Sequence, residues 1–183
     1  MLTPILRQRR PGSGQRGFSI IEIMTSIVIL AILLVIAMPQ YFSYLQNQQI
    51  RSMSEGIAAG LQFARAEAVT RNTLSGVAFN MAGADWTVTV VETGEVLRAQ
   101  RGSERMANTV VAPAAATIVF NALGRSSNLA AGSTTQFDVT NPTGGACVPS
   151  GEMRCLSVRV SASGGIRACD PSKPPAATDP MGC

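Results

Sequence analysis

The sequence predicts an α+β fold: a long amino-terminal helix, its first half able to span a membrane, packs its second half against antiparallel β-sheets, and a disulfide-tied region closes the chain. Three observations predict it. Residues 23–38 hold no charged group. Beyond them, Ile50, Met53, Ile57, Leu61, Ala64 and Ala68 recur at spacings of three and four, the mark of one apolar helical face. From Leu74 onward the pattern changes to short β-branched runs separated by Gly, Asn and Pro, with four cysteines gathered at the end.

The apolar stretch, residues 18–38, matches the roughly 20 residues that a helix rising ~1.5 Å per residue needs to cross a ~30 Å hydrocarbon core. Its one charged group is Glu22. An ionised carboxylate facing lipid costs several kcal/mol, so this side chain is expected either to be protonated or to meet a positive partner, and none lies in the segment. Arg7, Arg9, Arg10 and Arg16 precede the run, and positive residues stay on the cytoplasmic side during insertion. An ordinary secretory signal ends in a small-residue cleavage site, whereas Pro39-Gln40-Tyr41 follows here, so any cut falls before the apolar run. Residues 1–16, with Pro4, Pro11, Gly12, Ser13 and Gly14 among the arginines, read as a disordered leader.

The helix is expected to run from Phe18 to Thr70, ~80 Å at the standard rise, with a bend rather than a break at Pro39, which removes a backbone donor and crowds the preceding turn. Asn72 can adopt the left-handed conformation that ends many helices, so the stop falls near Arg71-Asn72. The apolar stripe reads as core, with Gln46, Gln48, Arg51, Glu55, Gln62 and Arg65 on the other sides. Strands are expected at 76–79, 86–91, 95–98, 117–120, 134–140 and 155–161. Alternation in 86–90 turns Trp86, Val88 and Val90 inward, and Glu92-Thr93-Gly94 supplies a turn in which Glu92 and Glu95 are solvated. Residues 121–126, 130–133 and 141–145 read as turns and loops. The proline-rich tail from Asp170 is expected to be irregular.

The formal net charge of +4 suggests a polyanion or an anionic membrane, but the arithmetic removes most of that suggestion. All 11 acids follow Gly17, while four of the 15 basic residues precede it, which leaves 11 of each sign beyond that point. Global attraction to nucleic acid is not supported. The chain has no histidine, which removes the commonest general base, and its single lysine, Lys173, sits among prolines. No phosphate-binding glycine loop occurs. Neither an enzyme nor a cofactor is expected. Cys147, Cys155, Cys169 and Cys183 include no close C-x-x-C pair, so disulfides in an oxidising compartment are preferred over a metal. Three pairings are open. The sequential one, Cys147 with Cys155 and Cys169 with Cys183, is favoured because each bond closes a short loop containing Pro or Gly.

Gly17-Phe18-Ser19-Ile20-Ile21-Glu22 resembles the processing site of type IV pilins and of the pseudopilins of type II secretion. Three further stretches resemble the GspH, FimU and FimT group of minor pilins and pseudopilins: residues 61–72 at the end of the long helix, Asn121-Ala122-Leu123-Gly124-Arg125, and the late strand around Ser157-Val158-Arg159-Val160 with Arg167-Ala168-Cys169. The resemblance implies a leader, residues 1–17, cleaved by a prepilin peptidase that then methylates Phe18. It implies a helix over 18–72, membrane-spanning to about 38, and a periplasmic β-rich domain over 73–183 joined to the second half of that helix. Glu22 would meet the Phe18 amine of a neighbouring subunit, a pair able to fix register between subunits. The implied role is a minor pilin anchored once in the bacterial inner membrane and extracellular in the filament. It would join other minor and major pilins at the tip of a type IV pilus and prime assembly. A minor pseudopilin of type II secretion and a DNA-binding minor pilin for DNA uptake are the alternatives. FimT-like DNA binders carry Gly-Arg-x-Arg after the last long strand. This chain has Gly164-Gly165-Ile166-Arg167, which keeps one of the two arginines, so Arg159, Arg167 and Lys173 are candidate contacts for weak DNA binding.

Overall fold

The computed structural model describes residues 17–102, 106, 108–174 and 178–183. The chain divides into two units, Met1–Pro39 and Gln40–Cys183. Helix α1, Ile20–Arg71, is assigned without interruption. It starts two residues later than the sequence reading has it. The N–H groups of Glu22 and Ile23 bond to the Ser19 oxygen at 3.1 and 3.2 Å, which makes Ser19 the residue that opens the helix. At the other end Asn72 has φ +50° and its N–H reaches the Ala68 oxygen at 3.1 Å, a left-handed stop at the expected asparagine.

In the first unit every described side chain is exposed, and the helix is long and apolar enough there to cross a membrane. In the second unit the six residues of the apolar stripe are fully buried. They meet two antiparallel four-stranded sheets. One has the order β3-β2-β1-β5, built from β1 (Val77–Ala82), β2 (Asp85–Val90), β3 (Val96–Gln100) and β5 (Ala115–Phe120). The other has the order β4-β6-β7-β8, from β4 (Val110–Ala112), β6 (Thr134–Thr140), β7 (Leu156–Ser161) and β8 (Ile166–Cys169).

Alternation puts Val77, Phe79, Trp86, Val88, Ile118 and Phe120 of the first sheet and Phe137, Val139, Val158 and Val160 of the second into one core with α1. The Phe79 ring lies 5.5 Å from the Trp86 ring and 6.1 Å from that of Phe137, so it links the two sheets. Gly60 of α1 faces this cluster. A methyl group there would fall 2.8 Å from Phe79 and 2.9 Å from Trp86, so the close approach of helix and sheet requires glycine. Trp86 is 1% exposed, and the Arg98 guanidinium lies 5.9 Å from its ring and 5.5 Å from that of Phe63.

Strands β4 and β8 are additions to the sequence reading. Three residues before Pro113 give β4 too little length for a pattern, and β8 has Arg167 and Ala168 exposed at its centre. Arg167 therefore belongs to a strand rather than to a loop. Glu95 is also not merely solvated, because its carboxylate meets Arg71 at 3.0 Å, while Arg71 holds Glu67 at 2.9 Å.

Candidate assembly face and the C-terminal segment

The first candidate site is the start of α1. Glu22 stands in the first turn, where unpaired N–H groups and the helix dipole favour negative charge. Its main-chain oxygen accepts from Thr25 Oγ1 at 3.0 Å and Ser26 Oγ at 2.7 Å, so both hydroxyls are satisfied within the helix. Phe18 and Glu22, one turn apart, border a shallow hollow with Ile23, Ser26, Ile27 and Leu30. Phe18 is 79% exposed. No lysine or arginine occurs in residues 17–50, so a cation for Glu22 has to come from outside this stretch.

The second candidate site is the outer face of the second sheet. Since Phe137, Val139, Val158 and Val160 face the core, Gln136, Asp138, Ser157 and Arg159 must face away from it. Strand register sets Ser157 opposite Cys169 and Arg159 opposite Arg167. These groups form one network. Asp138 Oδ1 accepts from Ser157 Oγ and from Gln136 Nε2, and Gln136 Oε1 accepts from Arg159 Nε at 2.8 Å. Arg159 also donates to the main-chain oxygen of Cys183, and Arg167 donates to those of Pro180 and Gly182 at 3.0 and 2.6 Å. Ser157 is fully buried although it lies on the outward side of its strand.

Disulfides join Cys147 to Cys155 and Cys169 to Cys183. The second bond and the two arginines hold the same end of the chain. Asp170 and Gly182 form a parallel bridge, and Lys173 pairs with Asp179 at 3.3 Å. The Met181 N–H, 2.8 Å from the Asp179 carboxylate, and the Lys173 ammonium hold that carboxyl below its ordinary value against a smaller opposing effect of burial. The three candidate DNA contacts thus all have partners inside the chain. The sequence contained part of the signal, since alternation in β6 and β7 fixes which residues face outward. It did not contain the register of β8 or the path of the tail, which depend on contacts far apart in the chain.

Among the described residues no cluster of three or more His, Cys, Asp or Glu could hold a metal. Two grooves flank α1. One, of about 950 Å³, runs between Leu45–Ala59 side chains and Arg98, Gln100 and Arg101. The other, of about 520 Å³, runs between Tyr44, Asn47 and Arg51 and the Arg154, Leu156 and Lys173 side.

Residues 12–38 match the prokaryotic N-terminal methylation motif. Residues 54–164 match the model of the type II transport protein GspH. The crystal structure of the type IV minor pilin FimU of Pseudomonas aeruginosa (strain PAO1) is similar at 20% identity with a TM-score of 0.49, covering 68% of this chain and 96% of that one. No curated protein matches. Because the GspH match spans more than half of the 183 residues and the methylation motif precedes it at the helix start, the chain belongs to the GspH family of pilin-like proteins.

Proposed function

We propose that this chain is a minor pilin of a type IV pilus. A prepilin peptidase cuts it between Gly17 and Phe18 and methylates Phe18, and the processed subunit joins other minor and major pilins to prime assembly at the tip. The observation that carries the reading is the methylation motif over residues 12–38, which covers the exposed apolar first part of α1, where the single charge is Glu22. An isolated carboxylate in such a helix needs a cation, and the amine that processing creates on a neighbouring subunit supplies one. The globular unit then lies in the periplasm and, after assembly, on the filament. Residues 61–72 and 121–125 resemble the GspH, FimU and FimT group as a whole, which holds both pilins and pseudopilins, so the choice between pilus and secretion rests on experiment.

The printed description of the matching family, type II transport, favours a second reading, a minor pseudopilin for protein export. Deleting the gene in its host and scoring surface pili beside secretion of exported proteins separates the two. Loss of pili with intact secretion is expected, and the reverse result would transfer the protein to secretion. Mass spectrometry of the mature chain tests the processing step itself, and a mature start other than Phe18 counts against both readings.

A further inference from the structure

Between the apolar run and the first buried core residue, Ile50, α1 carries an exposed aromatic group: Tyr41 is 60% exposed, Phe42 56% and Tyr44 58%. The Tyr41 and Phe42 rings meet edge to face at 6.5 Å. At ~100° per residue, Tyr41, Phe42 and Tyr44 cover nearly half of the helix circumference, so they form a collar rather than a stripe. Tyr41 stands three residues and Tyr44 six residues beyond Met38, and no charged residue lies between Glu22 and Arg51. Exposed aromatic rings that follow a membrane-length apolar run, with no charged residue in the chain between Glu22 and Arg51 and with Arg51, Arg154 and Lys173 sharing a groove with Tyr44, suit one surroundings above others. That is the boundary between acyl chains and phospholipid headgroups, where an amphipathic ring keeps its body in hydrocarbon and its hydroxyl wet.

The two flanks of the run differ. Four arginines precede it, and all four belong to the leader that processing removes, whereas the aromatic flank stays with the chain. We propose that Tyr41, Phe42 and Tyr44 form an interfacial anchor that sets the depth of the processed subunit in the bilayer before assembly. The proposal rests on the processing and membrane readings above. While the leader is present its arginines hold the helix against the cytoplasmic headgroups. Once it is gone the new Phe18 amine marks one end of the run and the collar marks the other.

The test uses the full chain and the chain beginning at Phe18 in vesicles of phosphatidylethanolamine and phosphatidylglycerol. Each chain carries one new tryptophan, Tyr44→Trp or Val35→Trp, and buried Trp86 gives a background subtracted with the parent. Lipids brominated at shallow or deep acyl positions report depth. Tyr44→Trp should be quenched most by the shallow bromines and Val35→Trp by the deep ones. Adding Tyr41→Ala and Phe42→Ala to Val35→Trp, together with Tyr44→Ala, should shift its quenching profile in the chain beginning at Phe18 and leave it nearly unchanged in the leader-bearing chain. If Val35→Trp is quenched while Tyr44→Trp is untouched by any bromine, the collar faces something other than lipid and the proposal fails alone. An equal shift in both chains overturns the depth-keeping role. No quenching of Val35→Trp overturns the membrane reading and the proposal with it.

Discussion

Arg159 and Arg167 face each other across β7 and β8, and both guanidinium groups donate to main-chain oxygens of one short segment at the end of the chain. Two like charges directly opposite in a sheet repel. Here each is met by main-chain oxygens of that segment, and the Cys169–Cys183 bond keeps the segment in reach. The arginines and the disulfide together tether the tail to β7 and β8.

Acid should loosen this tethered tail through Asp179. Its carboxyl is held below the ordinary value, chiefly by the Met181 N–H and then by Lys173. A depressed folded-state value means that the contribution is complete above the unfolded value, about 3.9, and is lost as pH falls through the lower folded one. The Met181 and Gly182 amide signals in an NMR titration should therefore move with a midpoint below about 3.9. Asp179→Asn should abolish that step. A midpoint at or above the ordinary carboxylate range would show that neither partner holds the charge.

Two glycines of α1 make opposite predictions. Gly60→Ala places a methyl 2.8 Å from Phe79 Cε2 and 2.9 Å from Trp86 Cη2, in a cluster where both rings are fully packed. Overpacking of about 1–3 kcal/mol should exceed the roughly 1 kcal/mol that alanine gains over glycine in a helix. At Gly56 the nearest atom is the end of the Gln100 side chain at 2.8 Å, which can turn aside, so Gly56→Ala should be neutral or stabilising. Urea unfolding of both variants decides it, and equal midpoint shifts would remove the special role given to Gly60.

The stripe from Ile50 to Ala68, the Asn72 stop and the extent of Thr134–Thr140 were legible because each depends on local pattern or backbone preference. Alternation is read only in 86–90, where it turns Trp86, Val88 and Val90 inward, and β6 and β7 carry the same kind of signal. What resisted reading was non-local. β8 carries two exposed residues at its centre and gains its identity only by pairing with β7. Arg167 reads in the sequence as a candidate DNA contact because its acceptors at Pro180 and Gly182 arrive only through a tail anchored at Cys183. The assembly face is the reverse case. Glu22 stands out in the sequence by its charge, Gly17 and Phe18 by their resemblance to a pilin processing site, and the structure adds the helix start at Ser19.

Glu22→Ala should leave membrane insertion intact and stop incorporation into filaments, because it removes the one carboxylate available to a neighbouring amine. Glu22→Gln should fail similarly, since it keeps the shape and loses the charge. Immunoblots of sheared filaments against whole membranes give the measurement. Incorporation of either variant at the parent level would sink the pairing with Phe18.

The last prediction concerns nucleic acid. Binding to single strands weakens with salt by a slope of roughly 0.7 per phosphate neutralised, so affinity depends on how many cations are free to reach phosphates. Arg159 and Arg167 are tied to the tail and Lys173 to Asp179, so the number these three offer is small. The parent chain should bind labelled DNA weakly or not at all near physiological salt. Arg167→Ala should then alter tail exchange more than DNA affinity, with the amides of Met181, Gly182 and Cys183 losing protection from hydrogen exchange. Each hydrogen bond to the charged group contributes about 1.5–3 kcal/mol when sheltered and less at this exposed position. Titration at two salt concentrations with parent and variant, beside hydrogen exchange on the same samples, gives both readouts. Tight binding that persists at the higher salt and disappears in Arg167→Ala would mean that DNA displaces the tail from its arginines, and the chain would then belong with the uptake proteins.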